Sequence, residues 1–153
     1  MSALVELASG VDSLYVSGRC DLPAPLLDRL EAAREVAREA RGPVPFEFGG
    51  YDWELKPSGL HRYRFWLDHP LLALGLSPSE KMPAVYAQIR SEAIHAPIGA
   101  DGVLSLLAGA LANAGVECSW KTSRIDLHAD WQHWSLSGDQ RHRFVCRARA
   151  LTT

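Results

Sequence analysis

Hydrophobic and polar positions change period several times along the chain, and each change marks an element. From Val11 to Ser17, residues Val11, Ser13, Tyr15 and Ser17 alternate with Asp12, Leu14 and Val16, which predicts a short strand. Gly18 ends it. Asp21 is then placed to cap a helix whose first turn holds Pro23 and Pro25. The period shifts to 3.6 over Pro25 to Arg41. Leu26, Leu27, Leu30, Ala33, Val36, Ala37 and Ala40 form an apolar stripe, with Glu31, Arg34, Glu35, Arg38 and Glu39 opposite. Mixed charge of this kind reads as the solvated face of a helix packed on a core. Gly42 and Pro43 stop it.

The middle of the chain is β-rich. Phe46–Phe48, Tyr51–Leu55, Tyr63–Leu67, Leu71–Leu76 and Ala84–His95 are expected as successive strands. Gly49-Gly50, Pro57-Ser58-Gly59, Asp68-His69-Pro70 and Ser77-Pro78-Ser79 punctuate them. Connections this short join only antiparallel neighbours. Asp101 caps a second helix over Gly102 to Ala114, closed by Gly115, and Val116 to Trp131 returns to strand. Trp134 to Thr153 is weakly patterned, with a short helix near Asp139 to Cys146. The order β-α-β-β-β-β-β-α-β predicts an α+β fold: an antiparallel-rich sheet with two helices packed on one face, related to split-βαβ (ferredoxin-like) arrangements. The other face of the sheet is then free for binding.

Composition narrows the class. The chain has 153 residues, 47% hydrophobic and 22% charged, as in soluble globular domains. Its net charge of −2 argues against a globally basic nucleic-acid binder, so any such role needs a local patch. No apolar run approaches the roughly 18 residues of a membrane span, and Met1 to Gly10 lack the basic and apolar regions of a signal peptide. Cys20, Cys118 and Cys146 are odd in number and far apart, which suits reduced thiols in a cytoplasmic protein. Charge is uneven: residues 137–153 carry four arginines against Asp139, a net +3, leaving −5 for the rest. Residues 1–136 are therefore expected to form the domain. Residues 137–153 are expected to be a basic segment, truncated or continuing into a second half.

Candidate chemistry concentrates in Ser123-Arg124-Ile125-Asp126-Leu127-His128-Ala129-Asp130-Trp131. On a strand, Arg124, Asp126, His128 and Asp130 share one face, while Ile125, Leu127, Ala129 and Trp131 form an opposing core row. Same-face neighbours lie roughly 6.5–7 Å apart, so Asp126, His128 and Asp130 reach one divalent cation only with help from another strand or a bend. Magnesium or manganese suits carboxylates with imidazole. The bland alternative is a solvated strand face with an Arg124–Asp126 surface pair. A second polar row, Tyr86, Gln88, Arg90 and Glu92, lies on the Ala84–His95 strand, from which Glu92 or Gln88 could complete the site. Lys56 to Trp66 interleaves Lys56, His61, Arg62 and Arg64 with Tyr63, Phe65 and Trp66, a mixture suited to phosphate contact and base stacking. Arg62, Arg64, Arg90, Arg124, Arg141 and Arg143 are the candidate nucleic-acid contacts. Trp53, Trp66, Trp120, Trp131 and Trp134 read as packing residues. The sequence contains no P-loop, dinucleotide fingerprint or G-x-S-x-G.

The Ser123–Gln132 stretch resembles the replication initiation factor family, the rolling-circle initiators of plasmids, phages and integrative elements. Its members carry a strand of the form Ser-Arg-aliphatic-Asp-aliphatic-x-x-Asp-aromatic. The order from Gly10-Val11-Asp12-Ser13-Leu14-Tyr15 through the long helix to the β meander is similar to the N-terminal part of such proteins. Asp139-Gln140-Arg141-His142-Arg143-Phe144-Val145-Cys146-Arg147 is similar to their actinobacterial branch. The resemblance implies DNA binding at an origin and metal-assisted nicking by a tyrosine nucleophile in the full-length protein. That tyrosine lies in the part of the family beyond this stretch, and Tyr15, Tyr51, Tyr63 and Tyr86 match no family nucleophile context. Asp126 and Asp130 match the family's acidic positions and Arg124 its basic one. The alternative function is a non-catalytic protein-interaction or homodimerisation domain that regulates an initiator. A third is a small metal-dependent phosphodiesterase using the Asp126/His128/Asp130 row.

Overall fold

The computed structural model describes residues 5–132. The chain divides into two compact units. The larger is Val11–Leu127, and the smaller joins the first ten residues to those from His128 onward. The elements run β1 Val5–Arg19, α1 Ala24–Ala40, β2 Val44–Phe48, β3 Tyr51–Leu55, β4 Phe65–Asp68, β5 Leu72–Leu76, β6 Val85–Ile89, α2 Ser91–His95, α3 Gly99–Asn113 and β7 Ser119–Gln132. Seven strands form one sheet in the order β2-β3-β4-β5-β6-β1-β7. The pairs from β2 through to β1 are all antiparallel. The expected α+β class holds; its ferredoxin-like detail is not confirmed by this order. No described helix is long and apolar enough to cross a membrane.

Register explains the layering. Leu55, Leu67, Leu74, Ala87 and Val16 stand opposite one another across five strands, and all are buried. Leu26 and Leu30 of α1 and Val103, Leu107, Ala110 and Leu111 of α3 join the same core cluster, so both long helices cover this face. Each fully buried leucine contributes roughly 2 kcal/mol. The β2–β3 turn is Gly49-Gly50, with φ of 62° and 86°, the left-handed pair that a tight two-residue hairpin needs. A Cβ on Gly49 would lie 2.1 Å from the Ala110 carbonyl oxygen, so this turn also seats α3.

Several sequence expectations need correction. The 84–95 strand stops at Ile89, and Ser91–His95 is the short helix α2. Backbone N–H groups of Ala93 and Ile94 turn back to the Arg90 carbonyl. β1 is longer than expected, running through Gly10. α1 is not capped by Asp21; Pro23 is its N-cap, and left-handed Arg41 closes it before Gly42. Arg34 is not solvated but 7% exposed, paired with Glu31 and lying over the Phe65 ring at 5.2 Å. Val36, expected in the core, is exposed. α3 begins at Gly99, which leaves Asp101 in its first turn.

The expected core row of β7 is the largest miss. Ile125 is 51% exposed and Leu127 76% exposed. β7 is the last strand of the sheet, and α3 lines a cleft only with Trp120, Lys121 and Thr122 at its start. The Trp131 side chain and Trp134, Arg141, Arg143, Cys146, Arg147 and Arg149 lie outside the described residues.

Candidate functional site: an aromatic sheet face edged by Arg124

The face turned away from the helices is built by the same register. One line across it reads Trp66, Gly75, Tyr86 and Ser17. The next reads Glu54, Asp68, Ala73, Gln88 and Tyr15. β5 contributes only Gly75 and Ala73 here, and the aromatic rings close over that strip. Tyr63, from the connection before β4, lies on Gly75 and stacks on Tyr86 with ring centroids 5.3 Å apart and planes 20° apart. Tyr15 and Trp66 flank Tyr86 at 6.1 and 6.3 Å. His61, at a left-handed φ of 57°, adds an edge contact to Trp66. Offset and tilted rings at these spacings attract one another beyond their buried area.

β7 supplies the charged margin. The Arg124 guanidinium lies 5.1 Å over the Tyr15 ring and donates from Nε to Asp126 Oδ1 at 2.6 Å. Ser13 donates its hydroxyl to Asp126 Oδ2 at 2.9 Å. Arg124 holds the Asp126 carboxyl below its ordinary pKa, and Ser13 assists. Asp126 in turn raises the Arg124 pKa. The arrangement fixes a permanent cation by an aromatic surface. Its terminal nitrogens bond to none of the described residues. Burial raises the pKa of the Tyr63 and Tyr86 hydroxyls, so both phenols stay protonated at neutral pH. They can donate hydrogen bonds but are not activated nucleophiles.

Arg124 reaches this face from β7, the strand beside β1. Gly18 shares the core face with Val16, and a Cβ there would touch Cys118 and Trp120. Cys118 and Trp120 therefore lie on the helix side. Ser123 donates to the Ser17 hydroxyl at 2.8 Å, and Arg124 covers Tyr15, both on the opposite side.

The sequence-predicted residues are only partly brought together. Arg124 and Asp126 meet as a pair on the aromatic face. Arg64 is on the other side of the molecule's sheet, bound to Glu31 of α1 at 2.8 Å and lying over Phe65. Lys56 is bound to Asp68 at 2.9 Å, and Arg90 reaches the same carboxylate at 3.4 Å. Arg62 is exposed and pairs with no described residue. The interleaved Lys56–Trp66 stretch thus commits Lys56 and Arg64 to intramolecular carboxylates. Arg141 and Arg143 lie outside the described residues.

Of the candidate metal ligands, only Asp126 and Glu92 lie in the larger unit. Both Asp126 oxygens are occupied by Arg124 and Ser13. Glu92 is exposed in the first turn of α2 and shares no hydrogen bond or ion pair with Asp126 among the described residues. His128 and Asp130 fall in the smaller unit. Among the described residues, no three carboxylate, imidazole or thiol groups converge as metal ligands. Asp126 and Glu92 alone do not make up the oxygen donor set of a magnesium or manganese ion.

Sequence reasoning missed the aromatic cluster as a unit. Tyr86 stood in one polar row, Tyr63 and Trp66 in a hairpin, and Tyr15 in an unplaced strand. The available signal was Gly75 between Leu74 and Leu76: a glycine inside an apolar strand marks close approach of another group. No family model matches the chain, and neither does any curated protein or solved structure.

Proposed function

We propose that this chain is the N-terminal DNA-binding part of a rolling-circle replication initiator, and that it holds DNA on the helix-free face of its sheet. One observation carries the reading. Tyr15, Tyr63 and Tyr86 form a partly exposed aromatic surface, backed by the buried Trp66 ring, with the Arg124 guanidinium at its edge. Unpaired bases stack on such surfaces, and arginine contacts phosphate or adds a cation–π interaction. The resemblance at Ser123–Gln132 supplies the initiator context. Metal-assisted nicking belongs, on this reading, to the full-length protein.

The test is fluorescence anisotropy of labelled single- and double-stranded DNA at two salt concentrations, with and without Mg²⁺. Salt-sensitive binding is expected, weakened about tenfold by Tyr86→Ala, since one stacked base is worth roughly 1–3 kcal/mol. No binding at low salt, or binding indifferent to Tyr86→Ala and Arg124→Ala, overturns the proposal.

A second reading is favoured by a separate observation. Ile125 and Leu127 are exposed on β7, which among the described residues has a strand neighbour on one side only. Exposed apolar residues on a sheet edge suit strand-to-strand pairing with a protein partner or a second copy. Salt-insensitive self-association without DNA binding would favour that function instead.

A further inference from the structure

We propose that Cys20 and Cys118 are a cross-linking site, forming an intramolecular disulfide by exchange with a small-molecule disulfide. Cys20 directly follows the last residue of β1, and Cys118 directly precedes the first residue of β7. Their sulfurs are 2.8 Å apart although 98 positions separate them in sequence. A disulfide spans about 2.0 Å, so the sulfurs need to close by less than about 1 Å. Both residues are half-buried thiols, within reach of a small oxidant. Gly18 keeps the place open: a Cβ there would lie 3.0 Å from both Cβ and Sγ of Cys118.

The Cys118 S–H donates to Cys20 Sγ, which leaves Cys20 the better placed thiol to ionise and attack first. Cys20 thiolate attacks one sulfur of the oxidant, forming a mixed disulfide and releasing one small thiol, which takes a proton. Cys118 loses its proton, attacks the Cys20 sulfur and expels the second small thiol. Two protein thiols are oxidised and one small disulfide is reduced to two thiols. Burial raises both cysteine pKa values, so the reaction is slow at neutral pH and faster in mild alkali. The product would tie together one end of the two strands that carry Tyr15 and Arg124. It closes a loop of nearly a hundred residues, the class of cross-link with the largest effect on the unfolded chain.

The test uses the full chain carrying Cys146→Ser, so that only this pair can react. It is incubated with oxidised glutathione at mildly alkaline pH. The expected product is a monomer lighter by two hydrogens, with no free thiols and with a linked peptide containing Cys20 and Cys118. Its thermal midpoint should rise by on the order of 10 °C and return on reduction. The Cys20→Ser variant should show no rise. Persistent glutathione adducts, intermolecular dimers, or thiols still free under conditions that oxidise the urea-unfolded chain overturn the proposal. So does an oxidised monomer that melts no higher than the reduced one.

Discussion

Replacing Gly75 with alanine tests the aromatic face at its centre. Alanine ordinarily gains about 0.5–1 kcal/mol over glycine inside a strand. Here the new Cβ would lie 2.7 Å from Tyr63 Cγ, and 3.0 Å from Tyr63 Cβ and Trp66 Cζ3. Non-bonded carbons settle at about 3.5–4.0 Å, so the Tyr63 ring must withdraw by roughly 1 Å. The clashing atoms sit near the tyrosine's backbone, where rotating the far end of the side chain gives no relief. Overpacking of this kind costs about 1–3 kcal/mol, part of it the lost ring pair with Tyr86. After the backbone gain is set against it, the expected loss is about 1–2 kcal/mol. In urea, with m of about 1–3 kcal/mol per molar, the midpoint should fall by on the order of 0.5–1 M, followed by tryptophan fluorescence. The companion measurement is Gly75→Ala in a Tyr63→Ala background, where the substitution should lose most of its cost. If Gly75→Ala stabilises the chain, or costs as much without the Tyr63 ring as with it, then Tyr63 does not lie on the sheet as described.

Three further expectations concern other parts of the molecule. Arg124→Ala should reduce the slope of log affinity against log salt for DNA by up to about one, while Arg64→Ala, whose guanidinium lies over Phe65 on the α1 side of the sheet, should leave it nearly unchanged. Equal slopes for both variants would remove Arg124 from the interface. Burial, and then Arg90, hold the His69 pKa below its usual value. The unfolded chain therefore binds the extra proton first, so stability should rise with pH up to about 6.5 and level off above it. His69→Gln should flatten that rise in a series of urea midpoints, and an unchanged pH profile would count against the assignment. Leu127→Asp should abolish any concentration-dependent increase in mass seen by light scattering, because it puts a charge in the most exposed apolar position of β7. Self-association that survives it proceeds through another surface.

Most of the fold was legible because it is written in short-range signals. Helical periodicity placed α1 and α3 within a few residues, and turn residues placed β2 to β5, with Tyr51–Leu55 matching at both ends. The errors arose where tertiary contact outweighs pattern. Arg34 looks solvated by its neighbours, yet Glu31 and the Phe65 ring give the guanidinium partners that let it be buried. Ser91 to His95 continues an apparently strand-like alternation, but the chain coils there and packs Ala93 into the core cluster and Ile94 against it.

The candidate site was less legible, and the reason lies in strand order rather than composition. Arg124 and Asp126 were singled out by a parity argument that treats β7 as a uniform strand. In the structure Ser123 and Arg124 both reach the open face, Ser123 at the Ser17 hydroxyl and Arg124 over Tyr15. Asp126 becomes the group that holds Arg124 in place. The same strand order sets Tyr86 beside Tyr15 although 71 positions separate them in the chain, because β6 and β1 are neighbours. A row of charges on one strand suggested a metal; the register of β5, β6 and β1 brings Tyr15, Tyr63 and Tyr86 together, with Arg124 at their edge. On the proposed DNA-binding reading, these rings are where unpaired bases would stack.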